Sequence, residues 1–195
     1  TNDQGENWGH RTSMYVSDGE PKTFSGTNIT KIAFDPQDEE AIYLGTQNNG
    51  IFYSYNYGKG WHSTLAYKGT VNDIVVHPQD KCTVYAAAHN KIWKTEDCSR
   101  TWTDIYFESR NEQYVTSLNI NYANPDIIYA GTSGGSFLRS LDRGKSWDVL
   151  RRFDNSVKQI VVQNHSDSNI IYAITKSTGV FRSGDGGVSW ENLMA

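Results

Sequence analysis

Apolar and polar positions alternate in short runs along nearly the whole chain, and the runs recur in a fixed order. The first kind covers 29–36, 71–78, 115–120 and 157–162, as in Val71-Asn-Asp-Ile-Val-Val76. The second is centred on a tyrosine, at 41–46, 83–88, 127–132 and 170–175. A third follows at 50–54, 92–95, 136–140 and 180–183, and a fourth, shorter run begins at a tryptophan, as in Trp147 to Leu150 and Trp190 to Leu193. Runs of this length, rich in β-branched and aromatic residues, read as half-buried strands. Turn residues separate them: Asn48-Asn49-Gly50, His89-Asn90, Ser133-Gly134-Gly135 and Ser177-Thr178-Gly179. No stretch carries a helical period. The pattern predicts an all-β chain built from four-stranded antiparallel units.

Between the third and fourth runs lies a motif, Ser/Thr-x-Asp-x-Gly-x-x-Trp, that occurs five times, complete in three copies and as a close variant in two. Its copies are Thr1-Asp3-Gly5-Trp8, Ser54-Asn56-Gly58-Trp61, Thr95-Asp97-Ser99-Trp102, Ser140-Asp142-Gly144-Trp147 and Ser183-Asp185-Gly187-Trp190. Successive tryptophans are 53, 41, 45 and 43 residues apart. Four strands per such interval is the arithmetic of a β-propeller blade. The longest interval holds a polar insertion, Ser17 to Gly26, expected as a loop. The local chemistry is that of a locked turn. The Asp accepts backbone N–H groups, the Gly permits a positive φ, the hydroxyl adds a hydrogen bond and the Trp buries a ring that pins the turn. On this reading Asn56 keeps an acceptor without its charge, and Ser99 either tolerates the glycine conformation or reshapes its turn.

These five boxes resemble the Asp-box, or BNR, repeat, and the resemblance covers essentially all of the chain. It implies an all-β propeller with the box turn between strands three and four of each blade. Counted this way, 1–16 supplies the outer strand of a preceding blade, and blades occupy 27–66, 70–107, 114–152 and 156–195. Four blades and one spare strand make no neat ring. The expectation is part of a longer propeller of about six to ten blades, close to the usual range, or a ring closed by a second copy of the chain. The blades look most like photosystem II assembly-factor-like propellers, and sortilin-type receptors and xyloglucanase-type glycosidases share the box. The resemblance therefore implies a non-enzymatic scaffold or protein-binding module outside the cytoplasm. The rival is a glycoside hydrolase propeller that binds or cleaves polysaccharide.

Composition narrows the field. The 195 residues carry a net charge of −4, which disfavours a nucleic-acid surface built on clustered Lys and Arg. No apolar run approaches the roughly 20 residues of a membrane-spanning helix. The chain opens without Met on a motif residue and reads as a mature or excised segment. Cys82 and Cys98 flank a hairpin folded about His89-Asn90, which sets residue 82 opposite 97 or 98 and makes a disulfide feasible. That pairing points to an oxidising compartment; the alternative is two free thiols inside a cell.

Candidate chemistry is sparse. The boxes' Asp residues sit one per blade, too far apart to converge on calcium. The five histidines (10, 62, 77, 89 and 165) show no ligand spacing, so no metal or cofactor is expected. The Arg-Ile-Pro signature of sialidases is absent. Asp35, Asp73, Glu108 and Glu112 are the acids outside the boxes that a glycosidase would need in a pair, and nothing in the sequence pairs them. Asn28-Ile-Thr30 and Asn164-His-Ser166 match glycosylation acceptors, a short motif that often arises by chance. No catalytic residue is assigned. In an antiparallel blade the loops between units share a rim with the turns between strands two and three, opposite the boxes. That rim carries Tyr67, Tyr106, Phe107, Arg110, Tyr114, Arg151 and Arg152, types enriched at interface hot spots. Two readings compete: these side chains contact a protein partner or glycan, or they pack under their own loops.

Overall fold

The computed structural model describes residues 27–163 and 169–194, plus the backbone of 13–15 and 21–23. The first box, with Asp3 and Trp8, and the Asn164 acceptor lie outside the described residues. β1 (Ser13–Tyr15) and β2 (Pro21–Thr23) pair as an antiparallel hairpin, Ser13 opposite Thr23. Part of the insertion expected as a loop is thus a strand. Its neighbour, expected as the outer strand of a preceding blade, pairs with it.

Four four-stranded sheets follow, each an antiparallel meander in chain order. The first is β3 (Ile29–Asp35), β4 (Asp38–Thr46), β5 (Ile51–Tyr55) and β6 (His62–Leu65). The second is β7 (Val71–Val76), β8 (Val84–Ala88), β9 (Lys91–Thr95) and β10 (Thr103–Phe107). The third is β11 (Val115–Ile120), β12 (Ile128–Thr132), β13 (Ser136–Ser140) and β14 (Asp148–Arg152). The fourth is β15 (Val157–Val162), β16 (Ile171–Thr175), β17 (Val180–Ser183) and β18 (Glu191–Asn192). No helix occurs among the described residues. These are propeller blades, with β3, β7, β11 and β15 as inner strands.

The core lies between blades rather than within them. Tyr43 and Ile51 of the first blade pack on Val71, Ile74 and Val76 of the second. Tyr85 and Ile92 pack on Val115, Leu118 and Ile120, and Tyr129 and Phe137 on Val157, Ile160 and Val162. Each junction uses one face of each sheet it joins, so the two middle sheets are covered on both faces, and their second strands β8 and β12 are buried throughout. Burying one such side chain is worth about 1.5–3 kcal/mol. Burial also pushes the Tyr85 hydroxyl up to about 12. Every inner strand bulges after its first residue. The residue at three of these bulges sends its side chain across the junction. Thr30 Oγ1 donates to the Val71 carbonyl at 2.6 Å, Asn72 Nδ2 to Val115 at 2.7 Å, and Thr116 Oγ1 to Val157.

The four described boxes form one turn, repeated. The first-position hydroxyl donates to the carboxylate or amide oxygen two residues on, at 2.8–2.9 Å, and accepts the N–H four residues on. Two successive residues then adopt left-handed backbone: Tyr57 and Gly58, Cys98 and Ser99, Arg143 and Gly144, Gly186 and Gly187. Ser99 accordingly takes the glycine conformation, at φ 68°, without reshaping its turn. The first of each pair donates its N–H to a backbone carbonyl near the start of the second strand of its blade: that of Glu40, within β4, and those of Cys82, Asp126 and Asn169, in the connections that precede β8, β12 and β16. In the second blade that contact brings Cys98 onto Cys82, and the two form a disulfide with Cα atoms 4.0 Å apart.

Candidate functional site

The rim opposite the boxes is where the blades differ, and it carries the residues expected to bind. Arg110 does not project freely. Its Nε and Nη2 grip both oxygens of the buried Glu108 at 2.9 and 2.8 Å. This bidentate fork holds the Glu108 carboxyl below its ordinary range although burial opposes it. Arg110 and Arg152 converge, each donating to the buried Ser136 Oγ at 2.8 Å. Tyr106 stands beside them, its hydroxyl on Glu108 and its ring edge-on to Trp147, and burial pushes that hydroxyl up to about 12. Arg151 lies over the rings of Phe153 and Phe181. Tyr67 is half-buried against Trp93, whereas Phe107 is 57% exposed.

Tyr114 occupies a different setting. Two clefts share it as a lining residue. One, of about 690 Å³, is lined by Thr70, Asn72, His89, Asn111, Glu112 and Tyr114 and lies between the second and third blades. The other, of about 310 Å³, runs from Tyr114 past Ser133, Gly134, Asp154, Asn155 and Ser156 to Lys158 and Lys176, between the third and fourth. His89 and Glu112 hold left-handed backbone at φ 53° and 58°, a costly conformation for non-glycine residues that tends to collect at functional surfaces. The first cleft carries one carboxylate, Glu112, and the second two ammonium groups, Lys158 and Lys176, beside one carboxylate, Asp154, so the net charge of the lining changes sign across Tyr114.

The acids outside the boxes are dispersed. Asp73 pairs with Lys31 at 2.6 Å and accepts the N–H groups of Ile74 and Leu118. Glu108 is held by Arg110. Asp35 ends β3 at the box rim, where burial raises its carboxyl, while Glu112 lies on the opposite rim. Among the described residues no group of three or more His, Cys, Asp or Glu side chains could hold a metal ion.

Three kinds of residue escaped the sequence reading. The hydroxyls of Thr101, Ser146 and Ser189 donate to the box carboxylates at 2.5–2.6 Å and hold Asp97, Asp142 and Asp185 down at about 2. A hydroxyl immediately before the box Trp in three of the five copies, replaced by Asn7 in the first and Gly60 in the second, was the available signal. Asp35, His77 and Asn121 share a position after the inner strand, and each accepts the N–H two residues on. Burial lowers the His77 pKa, which keeps Nδ1 free to accept. The cross-blade donors Thr30, Asn72 and Thr116 likewise share a register that only alignment of all blades reveals.

No family model matches the chain. It is 32% identical over 104 residues to "Vacuolar protein sorting/targeting protein 10" of Neosartorya fischeri, a match covering 49% of this chain. It is equally similar over 108 residues to the protein of that name from Aspergillus fumigatus. The chain spans only 7% of the length of these curated relatives. Among solved structures it resembles an ancestral GH74 enzyme, with a TM-score of 0.76 at 18% identity, over 86% of this chain and 24% of that one. It also resembles YCF48 bound to D1 peptide, with a TM-score of 0.63 at 15% identity, over 85% and 54% of the two chains. At such identities the likeness establishes the propeller fold.

Proposed function

We propose that this chain is a protein-binding segment of an extracytoplasmic β-propeller, and that it takes an extended peptide along the two clefts meeting at Tyr114. The observation that carries the reading is that junction: Tyr114 is shared by a cleft of net negative lining and one of net positive lining, on the rim opposite the boxes. An amphipathic ring with few rotatable bonds is a good anchor. Backbone-strained His89 and Glu112 both line the first of these clefts. Arg110, Arg152 and Tyr106 shape this surface from below through Glu108 and Ser136, and Phe107 extends it outward. The Cys82–Cys98 disulfide supports an oxidising location. The neighbours named for a sorting protein and for a bound D1 peptide make peptide recognition a natural use of this fold.

A random extended-peptide library displayed on phage tests the reading. Selected peptides should lose at least tenfold in affinity with Tyr114→Ala, with the charge reversal Glu112→Lys altering which sequences are selected. Selection of no peptides, or of peptides indifferent to both changes, would overturn it. The second reading is polysaccharide binding or cleavage, favoured by the likeness to GH74 structures. Release of reducing ends from xyloglucan, abolished by Glu112→Gln, would replace the first reading with this one.

A further inference from the structure

The first blade turns an apolar face outward that the other three blades cover. Ile29, Ile32 and Phe34 of β3 are 46%, 51% and 61% exposed. The residues in the same register are Val71, Ile74 and Val76 of β7, and they are 0%, 2% and 5% exposed. Those of β11 and β15 are at most 4% exposed. In each covered case the covering surface is the preceding blade. Farther out on the same face, Leu44, Phe52 and Trp61 already cover one another. The open strip is therefore the inner-strand half of a junction that the chain builds three times.

The obvious occupant is the last blade of a second copy, because its corresponding face is also open: Val161 is exposed and Tyr172 half-exposed, whereas Tyr43, Tyr85 and Tyr129 are buried. One residue argues against it. At the internal junctions the second strand meets the next blade with Gly45, Ala87 and Gly131. The fit there leaves almost no room. A Cβ on Gly45 would come within 2.7 Å of Val71 Cγ1, and one on Gly131 within 2.7 Å of Val157 Cγ1. The last blade carries Ile174 in that register, opposite Gln159 and Val180. A β-branched side chain there, facing Ile29 in place of a valine, would overfill the contact.

We infer that the open face of the first blade is an interaction surface for a propeller blade with Gly or Ala in the register of Gly45, and that Ile174 bars the chain's own last blade from it. Ile174 is thus a specificity residue: it leaves the hydrophobic strip available while preventing head-to-tail self-assembly. Its effect is the reverse of the usual role of a half-exposed isoleucine, which promotes association.

Removing the bar converts the chain into its own partner. At micromolar concentration, native mass spectrometry and light scattering should find the unaltered protein monomeric. Ile174→Gly should shift it toward a two-copy mass, and Ile174→Ala, matching Ala87, should do so more weakly. Phe34→Asp in the same chain should return either variant to a monomer. Folding is monitored by circular dichroism; Ile174 lies on an open face, so both variants retain the internal junctions. Self-association of the unaltered protein that Phe34→Asp abolishes would overturn the inference. So would folded Ile174→Gly and Ile174→Ala variants that both remain monomeric.

Discussion

The two rims of this propeller segment are built on opposite plans. At the box rim, four turns repeat one set of hydrogen bonds with spacings that agree to within about a tenth of an ångström for the leading contact. At the other rim a backbone bond recurs in every blade, from Gln47, His89, Ser133 and Lys176, but the side chains around it differ: Arg110 folds back onto Glu108, Arg151 lies across Phe153, and Tyr114 stands between two clefts. The first rim shows what a blade needs to close. The second varies in the side chains that surround a shared backbone frame, and variation on a rigid frame is where recognition can be placed.

The contrast can be broken most severely at the disulfide, the one covalent addition to a box. Replacing both Cys82 and Cys98 with Ser should cost about 3 kcal/mol, the expectation for closing a loop of some 15 residues. Denaturant titration would show this, and affinity at the Tyr114 clefts should stay unchanged. Next in size is Ser140→Ala. Its hydroxyl is buried, donates to Asp142 and accepts the Gly144 N–H, so the change leaves a buried donor unpaired at a cost of about 1–3 kcal/mol. Ser99→Gly works in the other direction. It relieves a left-handed φ that glycine adopts freely and should raise stability by up to about 1 kcal/mol. A loss of stability there would mean the Ser99 side chain contributes a contact that outweighs its backbone cost.

The smallest effect near neutrality is that of pH. Asp97, Asp142 and Asp185 have folded pKa values near 2, below the ordinary 3.8. A depressed carboxyl stabilises the fold above its unfolded pKa and loses that contribution as pH falls toward the folded value. Melting temperature should therefore be insensitive to these groups above about pH 5 and fall between roughly pH 4 and 2. Asn56, which does not titrate, should leave the second box unaffected, and Asp142→Asn should flatten part of the acid limb.

The sequence carried the blade plan because the plan is periodic. Alternation fixes which residues face a neighbouring blade, and the boxes fix where strands three and four meet. What it could not carry were contacts set by loop conformation rather than by register. Arg110 looked like a free hot-spot residue because its partner, Glu108, lies only two positions away and is turned inward by the connection itself. Tyr67 and Phe107 belong to the same residue class, yet one packs on Trp93 and the other faces solvent. The β1–β2 hairpin was missed because Pro21-Lys22-Thr23 has no apolar alternation to announce a strand. The open strip on β3 was equally silent, since Ile29, Ile32 and Phe34 have the pattern of any covered inner strand. Only the want of a covering blade among the described residues distinguishes them.

The side chains that reach from Thr30, Asn72 and Thr116 to the next blade all point the same way along the chain. Each of the first three blades brings one donor for its successor, and each of the last three one carbonyl for its predecessor. A gene segment encoding one such unit could be duplicated or lost, and every remaining joint would still find its counterpart. The number of repeats is then a quantity that recombination can change in whole steps, while the blade itself stays fixed.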